Sequence, residues 1–319
     1  MQIDLTTLQH RAARLIARLA ACDICPRQCR VNRLNGELGY CHSGLLPIVS
    51  SYCAHGGEEP AISGTRGSGT IFFANCNLRC VFCQNYQISQ NWEKQRSNVI
   101  SIEKLADCMM ELQEQGCHNI SFVSPTHFVP QIVQALVLAM PRGLKLPLVY
   151  NTNGYDCLET LRELDGIIDV YLPDIKYSYD NMALKYSDAP AYVASMRTAI
   201  QEMYRQTGEL MIDEHGIAMR GVIVRHLILP HGIAGSRQSL NWLAREVSLD
   251  VTVSLMSQYH PTHLANRFPE INRHISRREY DHALVALDKC GLENGWVQGM
   301  ESSGNYLPDF SKEGHPFEN

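Results

Sequence analysis

The chain has no run of basic residues. Its 28 Lys and Arg are scattered among 33 Asp and Glu, for a net charge of −5 and a pI near 6.2. That balance argues against a nucleic-acid-binding surface. No continuous apolar stretch reaches the length of a membrane span. Residues 1–20 read as a helix carrying Arg11, Arg14 and Arg18, without the apolar core and small-residue cleavage site of a secretory signal. The expectation is a cytoplasmic protein with neither nucleic acid nor membrane as partner. Internal repeats and low-complexity segments are also missing. At 319 residues, 45 % of them apolar, the chain can bury a substantial core as one large domain or two smaller ones.

Cysteine is abundant instead. Twelve cysteines in a reducing compartment are poor candidates for disulfides, and clustered ones are better read as metal ligands. Cys22, Cys25, Cys29 and Cys41 form one group; Cys76, Cys80 and Cys83 form another. Cys108, Cys117, Cys157 and Cys290 stand singly in apolar or helical patterns and read as small buried hydrophobes.

Residues 20–69 are rich in Cys, Gly, Pro and Ser, with few long apolar runs, and are expected to form an irregular, metal-stapled module after one helix. From residue 69 the pattern changes to alternating strands and helices. Strands are expected at 70–74, 119–124, 146–150, 167–172, 221–229 and 251–256. Helices are expected at 101–115, 129–140, 156–164, 191–206, 236–247 and 277–290, with Ser101 a candidate N-cap and Gly116 a stop. Six such units predict an α/β fold with a parallel sheet and right-handed crossovers, too few for a closed eight-stranded barrel but enough for a partial (β/α)6 TIM-type barrel. Chemistry in such folds sits on loops at the C-terminal ends of strands. The expected organisation is a helix plus Cys-rich module over 1–68, the barrel over 69–268, and a C-terminal helix and tail over 269–319 that packs on the barrel.

The loop leaving the first of these strands is Cys76-Asn-Leu-Arg-Cys80-Val-Phe-Cys83, a C-x3-C-x2-C spacing. Three thiolates this close can hold three corners of an iron–sulfur cube, leaving the fourth iron open to a small molecule. A closed zinc site wants a fourth protein ligand, and an electron-transfer cluster normally has four cysteines. The missing fourth ligand therefore points to chemistry.

This loop, with Phe82 before its last cysteine, resembles the hallmark of the radical S-adenosylmethionine (SAM) superfamily. The resemblance implies a 4Fe–4S cluster on Cys76, Cys80 and Cys83 whose open iron chelates the amino and carboxylate groups of SAM. One electron then cleaves SAM to a 5′-deoxyadenosyl radical that abstracts hydrogen. Residues 70–268 more closely resemble the branch related to the pyruvate formate-lyase activating enzyme, through Asn151-Thr152-Asn153-Gly154, Asp174-Ile175-Lys176 and Tyr259-His260. That likeness implies a cofactor-binding set of Phe82, Thr126, Asn151, Thr152, Asp174, Lys176 and His260. Lys176 is a point cation suited to a carboxylate, and Asp174 can accept from an ammonium. It also implies a one-electron donor of the flavodoxin or ferredoxin type, and a glycyl-radical enzyme or other protein as substrate. The chain departs from the branch after its second expected strand. There the Gly-Gly-Glu that receives the methionine amino group is replaced by Ser124-Pro125-Thr126-His127, leaving Thr126 or His127 as stand-ins. The string Gly56-Gly57-Glu58-Glu59-Pro60 resembles the missing motif but precedes strand one, so it reads as a decoy within the N-terminal module.

Cys22-x2-Cys25-x3-Cys29, with Cys41 twelve residues on, fits neither a zinc ribbon nor a standard cluster spacing. Structural zinc, an auxiliary iron–sulfur cluster and no metal all stay open at this point. Arg225-His226, at the end of the fifth expected strand, can point into the barrel. The segment Tyr306-Leu307-Pro308-Asp309-Phe310 is apolar enough to pack over it. Two other classes compete with the radical enzyme: a non-catalytic iron–sulfur electron carrier or redox sensor, and a zinc-stabilised scaffold.

Overall fold

The computed structural model describes residues 3–304, 308–310 and 316–317; Tyr306 and Leu307 of the expected packing segment lie outside them. The strands are β1 (Val49–His55), β2 (Ser68–Phe73), β3 (Ile120–Val123), β4 (Leu148–Thr152), β5 (Val170–Ile175), β6 (Met211–Ile212), β7 (Ala218–Leu227), β8 (Thr252–Met256) and β9 (Gly295–Val297). They form one sheet in the order β1-β2-β3-β4-β5-β7-β8-β9, with β6 paired to β7. From β2 to β9 every neighbour along this order is parallel. The six strands read from sequence are β2, β3, β4, β5, β7 and β8, and they build a partial (β/α)6 barrel.

Their composition explains their visibility. Every residue of β2, β3, β4 and β8 is buried. Strands covered on both faces carry near-continuous apolar runs. The connecting helices also begin where expected. Ser101 caps the helix Ile102–Glu114 by accepting from the Lys104 amide at 3.1 Å, and Ser276 and Glu279 form a capping box at Arg277–Lys289.

The N-terminal region is less irregular than its composition suggests. The helix Leu5–Ala17 lays Leu8, Ala12 and Leu15 on one face and packs against the helix Val129–Ala139. Residues 49–55, expected to be irregular, form β1, which adds to the sheet antiparallel to β2 with His55 opposite Ser68. An edge strand is half exposed, so it can carry a mixed Ser-Ser-Tyr-Cys sequence with no apolar run. After β1 the chain turns under the barrel. Ala61 and Ile62 pack on Val149, Val170, Leu172 and Ile223, residues at every second position of β4, β5 and β7 that face the barrel interior.

Candidate active site

Gly154 shows why the β4 loop has its sequence. Its φ is +80°, and a Cβ there would collide with the Asp174 carbonyl oxygen, so only glycine lets this loop lie against the end of β5. Two residues earlier, Asn151 and Thr152 end β4; Asp174 and Ile175 end β5; Arg225 and Leu227 end β7. These strand ends and the three-cysteine loop surround a cavity of about 240 Å³. Cys76, Cys80 and Cys83 all line it, together with Phe82, Asn151, Thr152, Asp174, Lys176 and His260. One concave site thus gathers residues more than 180 positions apart in sequence.

The sulfurs sit among hydrogen-bond donors. Ser187 Oγ donates to Cys80 Sγ at 3.0 Å. The Leu78 amide and Asn153 Nδ2 both lie 3.4 Å from Cys76 Sγ. Ser89 Oγ is 3.2 Å from Cys83 Sγ. Such donors stabilise charge on sulfur and tune any metal centre built on it. Burial, with mutual repulsion among the thiolates, pushes Cys76 up and Cys83 up to about 12. A thiol set this costly to ionise alone is suited to a strongly cationic partner. Phe82 closes one wall, edge-on to Tyr259 with ring centres 5.5 Å apart. The Tyr259 hydroxyl is tied to the Ile271 carbonyl, and His260 meets His274 edge-on at 4.8 Å.

Below the cysteines lies a charged floor. Lys176 Nζ is 2.7 Å from Asp174 Oδ2, and Arg225 Nε is 2.9 Å from Asp174 Oδ1. Burial opposes ionisation of Asp174, but Arg225 and Lys176 outweigh it and hold the carboxyl below its usual range. Burial likewise opposes the Lys176 charge, and Asp174 and Cys80 more than restore it. Arg225 also reaches Asn151 Oδ1 at 2.5 Å and Glu58 Oε2 at 3.3 Å. Asn151 Nδ2 donates to the other Glu58 oxygen at 3.2 Å. Burial, reinforced by Glu59 and Asp174 against the pull of Arg225, raises Glu58 to about 7.

Two expectations are corrected here. The Gly56–Pro60 string does not lie in a separate N-terminal module. It follows β1 into the barrel, where Glu58 becomes part of the cavity floor. Thr126 does not reach the cavity. A 3₁₀ turn over Thr126–Phe128 folds it inward, where it is 1 % exposed and its hydroxyl donates to Asp156 Oδ1 at 2.8 Å. Asp156 also accepts from Tyr150 and Thr152, so a buried carboxylate claims Thr126 and the Thr152 hydroxyl alike. His127 is equally diverted, its Nε2 being 3.0 Å from the Ala74 carbonyl; burial drops it to about 3. Arg225 enters the cavity, whereas His226 faces the other way, against the Ile175 carbonyl and Ser236. Of the expected tail, Phe310 lies edge-on to Phe72 at 5.4 Å; Phe317, further on, lines the cavity. Sequence reasoning missed Ser89, Ser187 and Glu58. The string around Glu58 was the one available signal.

The second cysteine group gathers elsewhere. Cys22, Cys25, Cys29 and Cys41 line a small pocket of their own, away from the barrel cavity.

Across 85 % of its length the chain is 29 % identical, over 283 residues, to the uncharacterized protein MJ0674 of Methanocaldococcus jannaschii, covering 75 % of that protein. Among solved structures it is similar to a radical SAM methyltransferase from Sphaerobacter thermophilus, with 13 % identity, a TM-score of 0.48, and 73 % of this chain and 67 % of that one covered. It is also similar to the FeFe-hydrogenase maturase HydG from Carboxydothermus hydrogenoformans, with 14 % identity and a TM-score of 0.49. The match covers 72 % of this chain and about half of HydG, 52 %. Among the described residues, no helix is long and apolar enough to cross a membrane. Residues 70–215, which begin on β2 and contain the three-cysteine loop, match the family described as the Radical SAM superfamily.

Proposed function

We propose that the chain is a radical SAM enzyme whose cluster ligands are Cys76, Cys80 and Cys83. The observation that carries this reading is the convergence of those three thiols, without a fourth, on the same cavity as Lys176, Asp174 and Arg225. The donor set fits a 4Fe–4S cluster with one open iron: three sulfurs on one loop, each beside a hydrogen-bond donor, facing space rather than a fourth side chain. When bound, such a cluster supplies the single electron that cleaves SAM.

The remaining work belongs to the chain. Lys176 offers a cation to the SAM carboxylate and is aimed by Asp174, which Arg225 holds in turn. Phe82 and Tyr259 form an apolar wall that keeps water from the cluster face. His260 supplies a polar group at the rim. The floor formed by Glu58, Asn151 and Arg225 lies deeper in the barrel, where it can recognise the molecule that loses hydrogen. A flavodoxin- or ferredoxin-type protein delivers the electron. The activating-enzyme resemblance nominates the glycine α-hydrogen of a partner enzyme as the hydrogen removed.

The test uses anaerobically reconstituted protein reduced with dithionite. Its paramagnetic resonance spectrum is recorded with and without SAM, and 5′-deoxyadenosine is assayed. A SAM-perturbed signal and 5′-deoxyadenosine, both lost in Cys80→Ala, are expected. An unperturbed signal with no product, from protein containing its cluster, would leave an electron carrier as the better account.

A further inference from the structure

The four N-terminal cysteines are held by more structure than a surface loop needs. Cys22, Cys25 and Cys41 are buried, and all four line one small pocket. Their backbone is locked by a reciprocal pair of bonds, Cys22 N to Val31 O and Arg30 N to Cys22 O, both 2.9 Å. Gln28, Arg30 and His42 adopt left-handed φ values of 42°, 59° and 50°, unfavourable for side-chain-bearing residues and tolerated where surrounding structure imposes them. Gly39 passes so close to Cys29 that a Cβ would sit 2.9 Å from its Cβ and 3.0 Å from its Sγ.

The pocket also has the charge environment of an anionic centre. Arg33 is 1 % exposed, and the acceptors it reaches are the Gly44 and His127 carbonyls and, at 3.9 Å, Cys22 Sγ. A guanidinium buried on carbonyls alone is poorly compensated, and four thiolates around a metal supply the missing negative charge. The Tyr40 amide adds a donor 3.4 Å from Cys29 Sγ.

Zinc and a cluster ask for different arrangements of the sulfurs. Tetrahedral zinc needs sulfurs converging at about 2.3 Å from a single ion. Among the described residues, no group of three or more His, Cys, Asp or Glu side chains is arranged to hold one metal ion. From the four cysteines lining one pocket beside a buried arginine, we propose that Cys22, Cys25, Cys29 and Cys41 hold a second iron–sulfur cluster, fully ligated by protein. With no open iron, this cluster transfers electrons or braces the fold and does not bind SAM. It is tied to the catalytic loop: Arg27 Nε donates to the Asn77 carbonyl at 3.0 Å, and Asn75 Nδ2 reaches the His42 carbonyl and Ser43 Oγ at 3.2 and 3.3 Å.

The test is metal content, read independently of SAM cleavage. The full chain and its Cys76→Ala/Cys80→Ala/Cys83→Ala variant are reconstituted anaerobically, and iron, sulfide and zinc are counted. The variant is expected to keep about four iron and about four sulfide per chain, with a reduced-state resonance signal that SAM leaves unchanged. Zinc at about one per chain without iron, or a folded variant with no metal, would overturn the proposal. Because that variant can fail to fold, Cys22→Ser/Cys25→Ser is made in the otherwise native chain. Its iron is expected to fall from about eight to about four per chain while the SAM-perturbed signal survives. Native protein holding only about four iron would count against the second cluster while leaving the radical enzyme intact.

Discussion

Replacing Glu58 with Gln tests the charged floor directly. In the folded protein the carboxyl is raised from 4.5 to about 7, chiefly by burial, with Glu59 and Asp174 adding repulsion and Arg225 opposing. A carboxyl with a raised folded pKa binds its proton more tightly folded than unfolded. Its stabilising contribution is therefore complete below about 4.5 and disappears as pH rises through about 7. At 1.36 kcal/mol per unit, the full loss is about 3 kcal/mol, most of it developing between about pH 5 and about pH 8. Glutamine does not titrate, so Glu58→Gln escapes this loss. In a chain of this size 1 kcal/mol moves the midpoint by roughly 2 °C. The advantage of Glu58→Gln over the native protein should thus grow by roughly 5 °C between those pH values. The assay is thermal unfolding of anaerobic, SAM-free protein, both chains at both pH values. Titrating groups that do not face Glu58 are common to the two and cancel; Glu59, Asp174 and Arg225, which face it, make up the remainder. A difference that stays constant within about 1 °C would refute a buried, raised carboxyl at this position.

Other substitutions separate cavity residues from buried ones. Lys176→Met removes the cation beside Asp174 and should weaken SAM binding roughly 10- to 100-fold, the worth of one charge-assisted hydrogen bond; equilibrium dialysis against the reconstituted protein reads it, and unchanged affinity would exclude Lys176 from the ligand site. Thr126→Val should cost about 1–3 kcal/mol of stability by leaving Asp156 short of a donor, while SAM affinity measured by the same dialysis stays unchanged. Gly154→Ala forces a methyl into the Asp174 carbonyl at a φ of +80°; a fall in both melting temperature and SAM affinity is expected, because the β4 loop and the end of β5 must part. Leu8→Ala, at a fully buried position, should cost about 2–5 kcal/mol in denaturant unfolding.

What could be read in advance follows from how locally each feature is encoded. The six barrel strands announce themselves because burial on both faces demands apolar runs. The cysteine loop does so because its three cysteines fall within eight residues. Features that depend on distant backbone do not. β1 is an edge strand of mixed polarity, and β9 is only three residues long. The donor to Cys80 is Ser187, 107 positions away. Thr126 was misplaced for a related reason: proximity to the end of β3 suggested the rim, but Asp156, thirty residues on, draws its hydroxyl into the core.

Glu58 is the most instructive case. Its position before the first barrel strand read as the wrong place for a group that receives the methionine amino end, and His55, just before it, pairs with Ser68 at the N-terminal end of β2. A barrel of six strands has an interior reachable from both ends, however. Residues 57–62 enter from below, burying Ala61 and Ile62 on the lowest interior layer and lifting Glu58 against Asn151 and Arg225. The site is thus built from two directions: sulfur and the Lys176–Asp174 pair from loops above, and one carboxylate from the plug below. The carboxylate delivered by the plug meets Lys176 only through Arg225 and Asp174. Under the proposed function, the floor is the part of the cavity where preference for the molecule that loses hydrogen can change most independently of the three-cysteine loop.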